Sequence, residues 1–193
     1  MRNLFLIDGA SGTGKSDLVE YARASHRRCG VLVKASTRTL RDYEENEDVA
    51  LDLSFHSRDE FNSFDFDYKY EYGEQLYGFS REQLNQCLDQ FENVFAIIRS
   101  VPLMRKLKDE YKNYRVIAVY VRSDHRLIEE RMLHQGRTQS EIDFRLTRIS
   151  ATFADYMRNA YFFDEIIENT SDKAAYYTLI DRLIEKYAHG SSK

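Results

Sequence analysis

The stretch that decides the fold lies near the amino end, where residues 4–16 read LFLIDGASGTGKS. Its apolar start predicts a short buried strand over Leu4 to Asp8, and a helical pattern begins at Asp17. Between them, GASGTGKS is a full match to G-x-x-x-x-G-K-[ST]. Its glycines allow the backbone to curl until successive N–H groups face one anion, and the helix that follows adds its positive end. The stretch therefore predicts a phosphate-binding loop between a strand and a helix.

The loop carries residues with separate expected tasks. Lys15 is expected to be catalytic, reaching the β- and γ-phosphates of a nucleotide as a point charge, and the Ser16 hydroxyl is expected to coordinate Mg²⁺. The residues expected to hold the nucleotide are Gly9, Ser11, Gly12, Thr13, Gly14, Lys15 and Ser16. Two alternatives stay open, namely a chance match in a glycine-rich turn and a loop that binds nucleotide for regulation without phosphoryl transfer.

Outward from the loop, short apolar runs alternate with helical patterns along most of the chain. The runs are rich in Val and Ile, which is typical of parallel strands buried on both faces. They lie at residues 31–33, 94–98, 116–121 and 165–168. The helical patterns lie at 80–90, 101–111, 124–134, 140–161 and 172–187. This alternation predicts an α/β fold with a doubly wound parallel sheet and flanking helices.

Residues 42–78 interrupt that alternation and predict a small β insert. In FDFDYKYEY (64–72) aromatic and charged residues alternate, which predicts antiparallel structure with one aromatic face. From Asp42 to Glu74 there are twelve acidic residues against Arg58 and Lys69, a net charge of −10. Because disordered acidic tracts are poor in aromatics, the insert is expected to be structured.

Composition excludes several classes of function. The chain has 193 residues, which suits one domain, and its net charge of −4 argues against binding a nucleic acid polymer or an anionic membrane. No apolar run approaches the length of a membrane span, and the amino end lacks the apolar core of a secretory signal. Two scattered cysteines fit a reducing compartment, so a cytoplasmic location is expected. The expected assembly is a monomer or homodimer.

Two arginines follow the second predicted strand, at the edge where open α/β sheets gather their ligands. Arg38 and Arg41 stand three residues apart in the segment after that strand. Phosphoryl transfer between two phosphorylated molecules needs cations for both partners, and a pair of guanidinium groups can hold the acceptor phosphate. The alternative is a solvated pair on a surface turn.

Several segments in the same order resemble guanylate kinases. GASGTGKS resembles their GPSGxGK loop, and KASTRTLRDYEENED (34–48) resembles their S-x-T-T-R-x-x-R segment. SFHSRDEF (54–61) and GEQLYGFS (73–80) resemble two stretches of their acceptor-binding part. HQGRTQSEIDFRL (134–146) resembles their lid, and FDEIIENTS (163–171) resembles a strand near their end. The resemblance therefore spans nearly the whole chain.

This resemblance implies a fold and an activity. The fold is that of P-loop nucleoside monophosphate kinases, with a parallel five-stranded sheet, a small mixed β insert that binds the acceptor, and a helical lid. The implied single domain covers residues 1–193, with a core at 1–41, 79–133 and 149–188, an insert at 42–78 and a lid at 134–148. The activity is transfer of the γ-phosphate of ATP, with Mg²⁺, to a small phosphorylated acceptor, a GMP-like nucleotide first.

The resemblance also implies site residues on both sides of the transfer. The expected acceptor contacts are Ser36, Arg38, Arg41, Tyr77 and either Asp67 or Glu71, together with Lys34 and Arg99 at positions where the sequence departs from the family. The alternatives are a solvated surface acid for Asp67 and Glu71 and a packed aromatic for Tyr77. On the donor side, Arg131 is expected to bind ATP, and the lid residues Arg137 and Arg145 are expected to be catalytic, since a closing lid brings cations to the phosphates and excludes water. The alternative for the lid arginines is ordinary pairing with acids on the same helices.

The sequence departs from the family pattern at the acceptor pocket. Leu53 stands where guanylate kinases have a Tyr, Lys34 where they have a Ser that contacts guanine, and Arg99 where they have an Asp near the base and metal. Asp8 could replace that missing acid or could cap the turn. The added cations suit an acceptor more negative than GMP.

Three other functions therefore stay open. The first is a sugar-phosphate kinase of the ribose bisphosphate kinase type, which the added cations favour. The second is a noncatalytic guanylate-kinase-like module that binds nucleotide or protein, although the intact GASGTGKS argues against it. The third is a P-loop ATPase or switch, which would need a strand-end acid that the sequence does not show.

Overall fold

The computed structural model describes residues 1–39, 51–134, 136, 138–170 and 172–188, without the side chains of residues 141, 144 and 145. In chain order the strands are β1 (Asn3–Asp8), β2 (Cys29–Val31), β3 (Lys34–Ser36), β4 (Leu53–Phe55), β5 (Tyr68–Tyr72), β6 (Gln75–Phe79), β7 (Asn93–Ile97), β8 (Arg115–Arg122) and β9 (Glu165–Glu168). The helices are α1 (Lys15–Ser25), α2 (Arg58–Ser63), α3 (Arg81–Gln90), α4 (Val101–Glu110), α5 (His125–His134), α6 (Gln139–Asn159) and α7 (Lys173–Ala188).

The central sheet contains the five strands predicted from the apolar runs. Its order is β2-β7-β1-β8-β9, and each neighbouring pair is parallel. Every residue of β1 is buried, and Phe5 stacks on Phe95 of β7 with ring centroids 4.7 Å apart. Because β1 is the middle strand, the loop after it opens between two neighbours at the carboxyl edge, where open α/β sheets bind ligands. The predicted parallel five-stranded α/β fold is confirmed.

A second, smaller sheet has the order β4-β3-β6-β5. It is mixed, because β3 pairs parallel with β4 and antiparallel with β6, which in turn pairs antiparallel with β5. The alternation predicted in FDFDYKYEY holds within β5, where Tyr68 and Tyr70 are buried while Lys69 and Glu71 are exposed. The sheet extends from residue 34 to residue 79, so its first strand precedes the predicted 42–78 insert.

Helix α2 is an element that the sequence pattern did not predict. Ser57 caps it by accepting from the N–H of Glu60, whose carboxylate accepts from the N–H of Ser57, which is a capping box. Because the helix ends at Ser63, the next strand starts only at Tyr68, and Phe64 and Phe66 precede the strand rather than lie on it.

The remaining helices begin and end within about two residues of their predicted positions. Ser80 caps α3 with Gln83 in a second capping box, and Ser100 caps α4 ahead of Pro102. Within the residues that the structure describes, none of the helices combines the length and the apolar character needed to span a membrane.

Candidate active site

The phosphate loop takes a conformation that only glycines tolerate at its turning points. Gly9, Gly12 and Gly14 have φ angles of 145°, 80° and 93°. The space is equally restrictive, since a Cβ on Gly9 would lie 2.2 Å from the carbonyl oxygen of Val121, and a Cβ on Gly14 would lie 2.3 Å from Nδ2 of Asn169. The backbone therefore packs against β8 and the segment after β9 with no side chain between them.

Three successive carbonyl groups of the loop, those of residues 12–14, are held from the protein side. Nη1 of Arg131 lies 3.4 Å from the first, Nδ2 of Asn169 donates to the second at 3.0 Å, and the Tyr176 hydroxyl donates to the third at 2.9 Å. In a planar trans peptide the N–H points opposite to the C=O. The N–H groups of residues 13–15 are thereby turned away from these side chains, as an anion-binding loop requires.

Lys15 and Ser16 open helix α1 directly behind the loop. Nζ of Lys15 donates to the carbonyl oxygen of Ala10 at 2.5 Å, so the ammonium lies over the loop itself. The Thr13 hydroxyl donates to the same carbonyl at 3.0 Å, and Ser16 is exposed in the first helical turn. Ser11, half-buried, lies in the turn that precedes them. The Lys15 ammonium and the amino end of α1 thus both lie at the loop, which suits a polyphosphate.

Arg131 holds the loop in place from behind. Besides its contact with Gly12, its guanidinium donates to the Ser123 hydroxyl at 3.1 Å and to Oδ1 of Asn169 at 2.9 Å. The sequence predicted that Arg131 binds ATP, and the described contacts place it beside the phosphate loop.

Asn169 and Tyr176 are site residues that sequence reasoning missed. Asn169 is 4% exposed and directly follows β9, and Tyr176 lies in the first turn of α7. Burial raises the pKa of the Tyr176 hydroxyl well above its usual value, so it stays a hydrogen-bond donor. Two signals were available for Asn169: its place at the carboxyl end of a parallel strand, and the resemblance of FDEIIENTS (163–171) to a strand of the family. Nothing local marked Tyr176 among the other aromatics of α7.

Asp8 and Arg99 form a buried ion pair at the carboxyl ends of β1 and β7. Nε of Arg99 lies 2.8 Å from Oδ1 of Asp8, which also accepts from the Gly9 N–H at 2.7 Å. Burial acts to lower the pKa of the Arg99 guanidinium, but Asp8 and Tyr72 raise it, and the net pKa lies above the ordinary value. Asp8 therefore neutralises Arg99 and caps the turn, the second of the roles considered for it.

Beside the second sheet, Arg38 lines a cavity of about 480 Å³. The Ser36 hydroxyl accepts from the Arg38 N–H at 3.1 Å, and the guanidinium lies 4.9 Å from the ring centroid of Phe55 while donating to the Thr39 carbonyl. The cavity is lined by Thr37, Arg38, Thr39, Phe55, His56, Ser57, Arg58, Glu74 and Gln75. Its size and its two arginines suit the phosphorylated end of a small molecule.

Lys34 lies in the interior of the second sheet rather than in that cavity. Its side chain is 1% exposed, and Nζ donates to Oδ2 of Asp52 at 2.8 Å and to the Asp52 carbonyl at 3.1 Å. An ammonium held in this way has its charge balanced inside the protein. This placement argues against the predicted contact of Lys34 with the acceptor.

The other predicted acceptor residues are dispersed. Oδ2 of Asp67 accepts from the Arg81 N–H at 2.7 Å at the start of α3, and Glu71 is exposed on β5. Tyr77 stacks on Tyr70 with centroids 5.0 Å apart. Asp67 thus has a structural partner in the helix, and none of the three lines the cavity beside Arg38.

Three predicted arginines cannot be placed. Arg41 and Arg137 lie outside the described residues, and the same holds for the side chain of Arg145, whose backbone belongs to α6. In the described part of the chain, no group of three or more His, Cys, Asp or Glu side chains could hold a metal ion.

The structure combines a parallel sheet, a phosphate loop after its middle strand, and a smaller sheet with an arginine-lined cavity. This combination defines a P-loop phosphotransferase. The chain belongs to the guanylate kinase family, whose model matches residues 1–187. The predicted family and enzyme class, a nucleotide kinase, are thereby confirmed.

Individual relatives agree with this assignment. The chain is 26% identical over 175 residues to a guanylate kinase of Rubrobacter xylanophilus, covering 89% of this chain and 88% of that protein. It is 27% identical over 146 residues to a guanylate kinase of Pseudoalteromonas translucida, covering 72% and 68%.

Solved structures share the fold. The crystal structure of guanylate kinase from Anaplasma phagocytophilum matches with a TM-score of 0.67 at 15% identity, over 98% of this chain and 88% of that one. Shikimate kinase from Bacteroides thetaiotaomicron matches with a TM-score of 0.51, also at 15% identity, over 97% and 99%.

Proposed function

We propose that this chain transfers the γ-phosphate of ATP to the phosphate of GMP or a closely related nucleotide. The observation that carries this proposal is the phosphate loop of residues 9–16. Its glycine turns, and carbonyl groups held toward the protein, leave the N–H groups of residues 13–15 facing the other way as an anion cradle. The guanylate kinase family model matches residues 1–187 of the same chain. Lys15 supplies a point charge to the donor phosphates, and the amides of the loop bind them.

Mg²⁺ fits the site through the hydroxyl of Ser16. This side chain is exposed at the start of α1, beside the loop. Magnesium keeps several waters and takes phosphate oxygens as ligands, so one protein hydroxyl is compatible with its binding. When bound with ATP, the ion would neutralise charge on the phosphates.

The acceptor phosphate is proposed to bind at Arg38 and Arg41. Arg38 lines the 480 Å³ cavity, and its guanidinium is oriented by Phe55 and by the Thr39 carbonyl. Arg41 follows three residues later in the sequence. Arg137 and Arg145 are proposed to close over the donor phosphates, as the lid resemblance implies. A monomer or homodimer in the cytoplasm stays a prediction from the sequence.

Lys34 and Arg99, the cations that the family pattern lacks, support a sugar bisphosphate acceptor less in the structure than they did in the sequence. Lys34 is balanced by Asp52 and Arg99 by Asp8, so both charges are neutralised within the protein. A more negative acceptor is not needed to compensate them. GMP is therefore preferred, and a sugar phosphate is the second candidate.

A coupled assay of ADP release tests the proposal. Purified protein with ATP and Mg²⁺ is offered GMP, dGMP, AMP, CMP, UMP and ribose phosphates, one at a time. Release that requires GMP is expected, whereas equal release without any acceptor would indicate an ATPase. A dependence on ribose phosphate alone would favour the sugar-phosphate kinase.

Two substitutions assign the two halves of the site. Lys15→Ala is expected to abolish turnover, while Lys112→Ala, at an exposed lysine remote from the loop in sequence, serves as the control. Arg38→Ala is expected to raise the KM for the acceptor much more than the KM for ATP. Full activity of Lys15→Ala would contradict the assignment of the donor site.

A further inference from the structure

The ion pair of Asp8 and Arg99 contacts the phosphate loop at its first residue. Each of the two side chains is 10% exposed, and the distance from Nε to Oδ1 is 2.8 Å. The same carboxylate oxygen accepts from the Gly9 N–H at 2.7 Å. The carboxylate therefore orients the peptide at which β1 turns into the loop, and Arg99 holds the carboxylate.

The other end of the Arg99 guanidinium contacts the second sheet. Nη2 donates to the Tyr72 hydroxyl at 2.6 Å, and the guanidinium carbon lies 3.9 Å from the centroid of the Tyr72 ring. Tyr72 is the last residue of β5. Among the described residues the two sheets share no strand pairing, so this charged side chain is a directional link between them.

Tyr72 also contacts helix α6, whose first half lies in the predicted lid segment. Its hydroxyl lies 3.4 Å from Oγ1 of Thr152, and the guanidinium carbon of Arg148 lies 5.7 Å from its ring centroid. A Cβ on Gly73 would lie 2.0 Å from Nη2 of Arg148, so the guanidinium of this α6 residue lies directly against the end of the β5–β6 hairpin. Tyr72, which belongs to the second sheet, thus contacts both α6 and Arg99, the residue that supports the loop.

We propose that Arg99 is a positioning residue that ties the second sheet to the phosphate loop, so that filling either substrate site favours filling of the other. The inference rests on the proposed function in placing the donor at the loop and the acceptor at the second sheet. When the hairpin takes up its bound position, Tyr72 fixes Arg99, and Arg99 fixes Asp8 and the Gly9 peptide. A shared element of this kind gives positive coupling when both ligands stabilise the same arrangement of it.

The link itself can be tested without any ligand. Exchange of the Gly9 amide hydrogen, followed by NMR, reports on the bond from Gly9 to Asp8. Tyr72→Phe keeps the ring but removes the hydroxyl that Arg99 binds, and we expect exchange to become about fivefold faster, the effect of losing one ordinary hydrogen bond. Unchanged exchange at Gly9 in Tyr72→Phe would overturn the proposal.

A matched control exists on α4. Arg105 donates to the Tyr161 hydroxyl at 3.1 Å and lies 5.3 Å from the centroid of that ring, so it repeats the contact type away from the loop. Tyr161→Phe and Arg105→Met are expected to leave Gly9 exchange unchanged. An equal effect of these control variants would show a general loss of stability and would also overturn the proposal.

The coupling is measured by calorimetry with GMP, in the absence and presence of a nonhydrolysable ATP analogue with Mg²⁺. We expect the analogue to tighten GMP binding at least about fivefold in the wild type, which is a common size for coupling between sites. In Arg99→Met the ratio is expected to fall to about one, whereas Arg105→Met is expected to keep the wild-type ratio. A full ratio in Arg99→Met would refute the role of Arg99.

Two further results separate the possible failures. Since Arg99→Met leaves Asp8 buried without its partner, the double variant Asp8→Asn with Arg99→Met removes both charges and is expected to lose the coupling as well. Complete absence of GMP binding to the wild type would overturn the proposed acceptor, while exchange at Gly9 would still decide whether the link exists.

Discussion

Tyr176→Phe isolates the contribution of one hydroxyl to the shape of the phosphate loop. This hydroxyl donates to the Gly14 carbonyl at 2.9 Å, and the ring edge lies close to the space where a Gly14 Cβ would stand. The substitution removes a single oxygen and keeps the ring in place. The Gly14 carbonyl still accepts from the Leu18 N–H at 3.0 Å, so the substitution loosens the orientation of this carbonyl, and with it that of the Lys15 N–H, without releasing it.

The expected size follows from the strength of that bond. A neutral hydrogen bond contributes about 1 kcal/mol net, and about 1.4 kcal/mol corresponds to a factor of ten in binding. The affinity for ATP can therefore fall by at most about fivefold through this route, and the melting temperature by about 2–4 °C for a chain of this length. The KM for GMP is expected to change less than twofold.

Steady-state kinetics with each substrate varied in turn, together with calorimetric titration of a nonhydrolysable ATP analogue, measure these effects. Tyr177→Phe is the control, because the neighbouring ring packs on α1 instead, where it stacks on Tyr21 with centroids 3.9 Å apart. An unchanged affinity for the analogue in Tyr176→Phe, or equal rises in both KM values, would refute the idea that the hydroxyl orients the loop.

Three further predictions concern buried groups. Lys34→Met leaves the Asp52 carboxylate without its partner and is expected to lower the free energy of unfolding by about 3–5 kcal/mol. Urea denaturation measures this loss, and the double variant Lys34→Met with Asp52→Leu is expected to recover much of it. Gly14→Ala places a Cβ 2.3 Å from Asn169 and is expected to abolish binding of the ATP analogue in calorimetry. Burial raises the pKa of the Cys29 thiol to about 11, so at pH 8 iodoacetamide is expected to modify half-buried Cys87 first, as mass spectrometry would show.

Much of the fold could be predicted because its signals are local. The apolar runs gave the five strands of the central sheet within a few residues, and Ser80 and Ser100 mark helix starts by bonds within one turn. The insert was harder, since its aromatic alternation continues from Phe64 while the strand begins only at Tyr68. The capping box of Ser57 and Glu60 ends that ambiguity by forming a helix ahead of the strand.

The candidate site divides in the same way. The motif located the loop, Lys15 and Ser16, because the required glycines and the cation are consecutive in sequence. The partners of the predicted cations were not visible, since Asp8 and Arg99 stand 91 residues apart and meet only because β1 and β7 are neighbours. The sequence does not distinguish a cation at a strand end that binds a substrate from one that pairs with a carboxylate inside the protein.

The sequence by itself determined a strand, a glycine turn and a helix that together bind phosphate, because backbone conformation and helix polarity at residues 3–25 depend on adjacent residues. The tertiary structure alone decided which side chains hold the loop carbonyls and which cations are neutralised internally. Asn169 and Tyr176 contact the loop across more than 150 residues of chain. Such contacts follow from the order in which parallel strands assemble, and short-range patterns carry no record of that order.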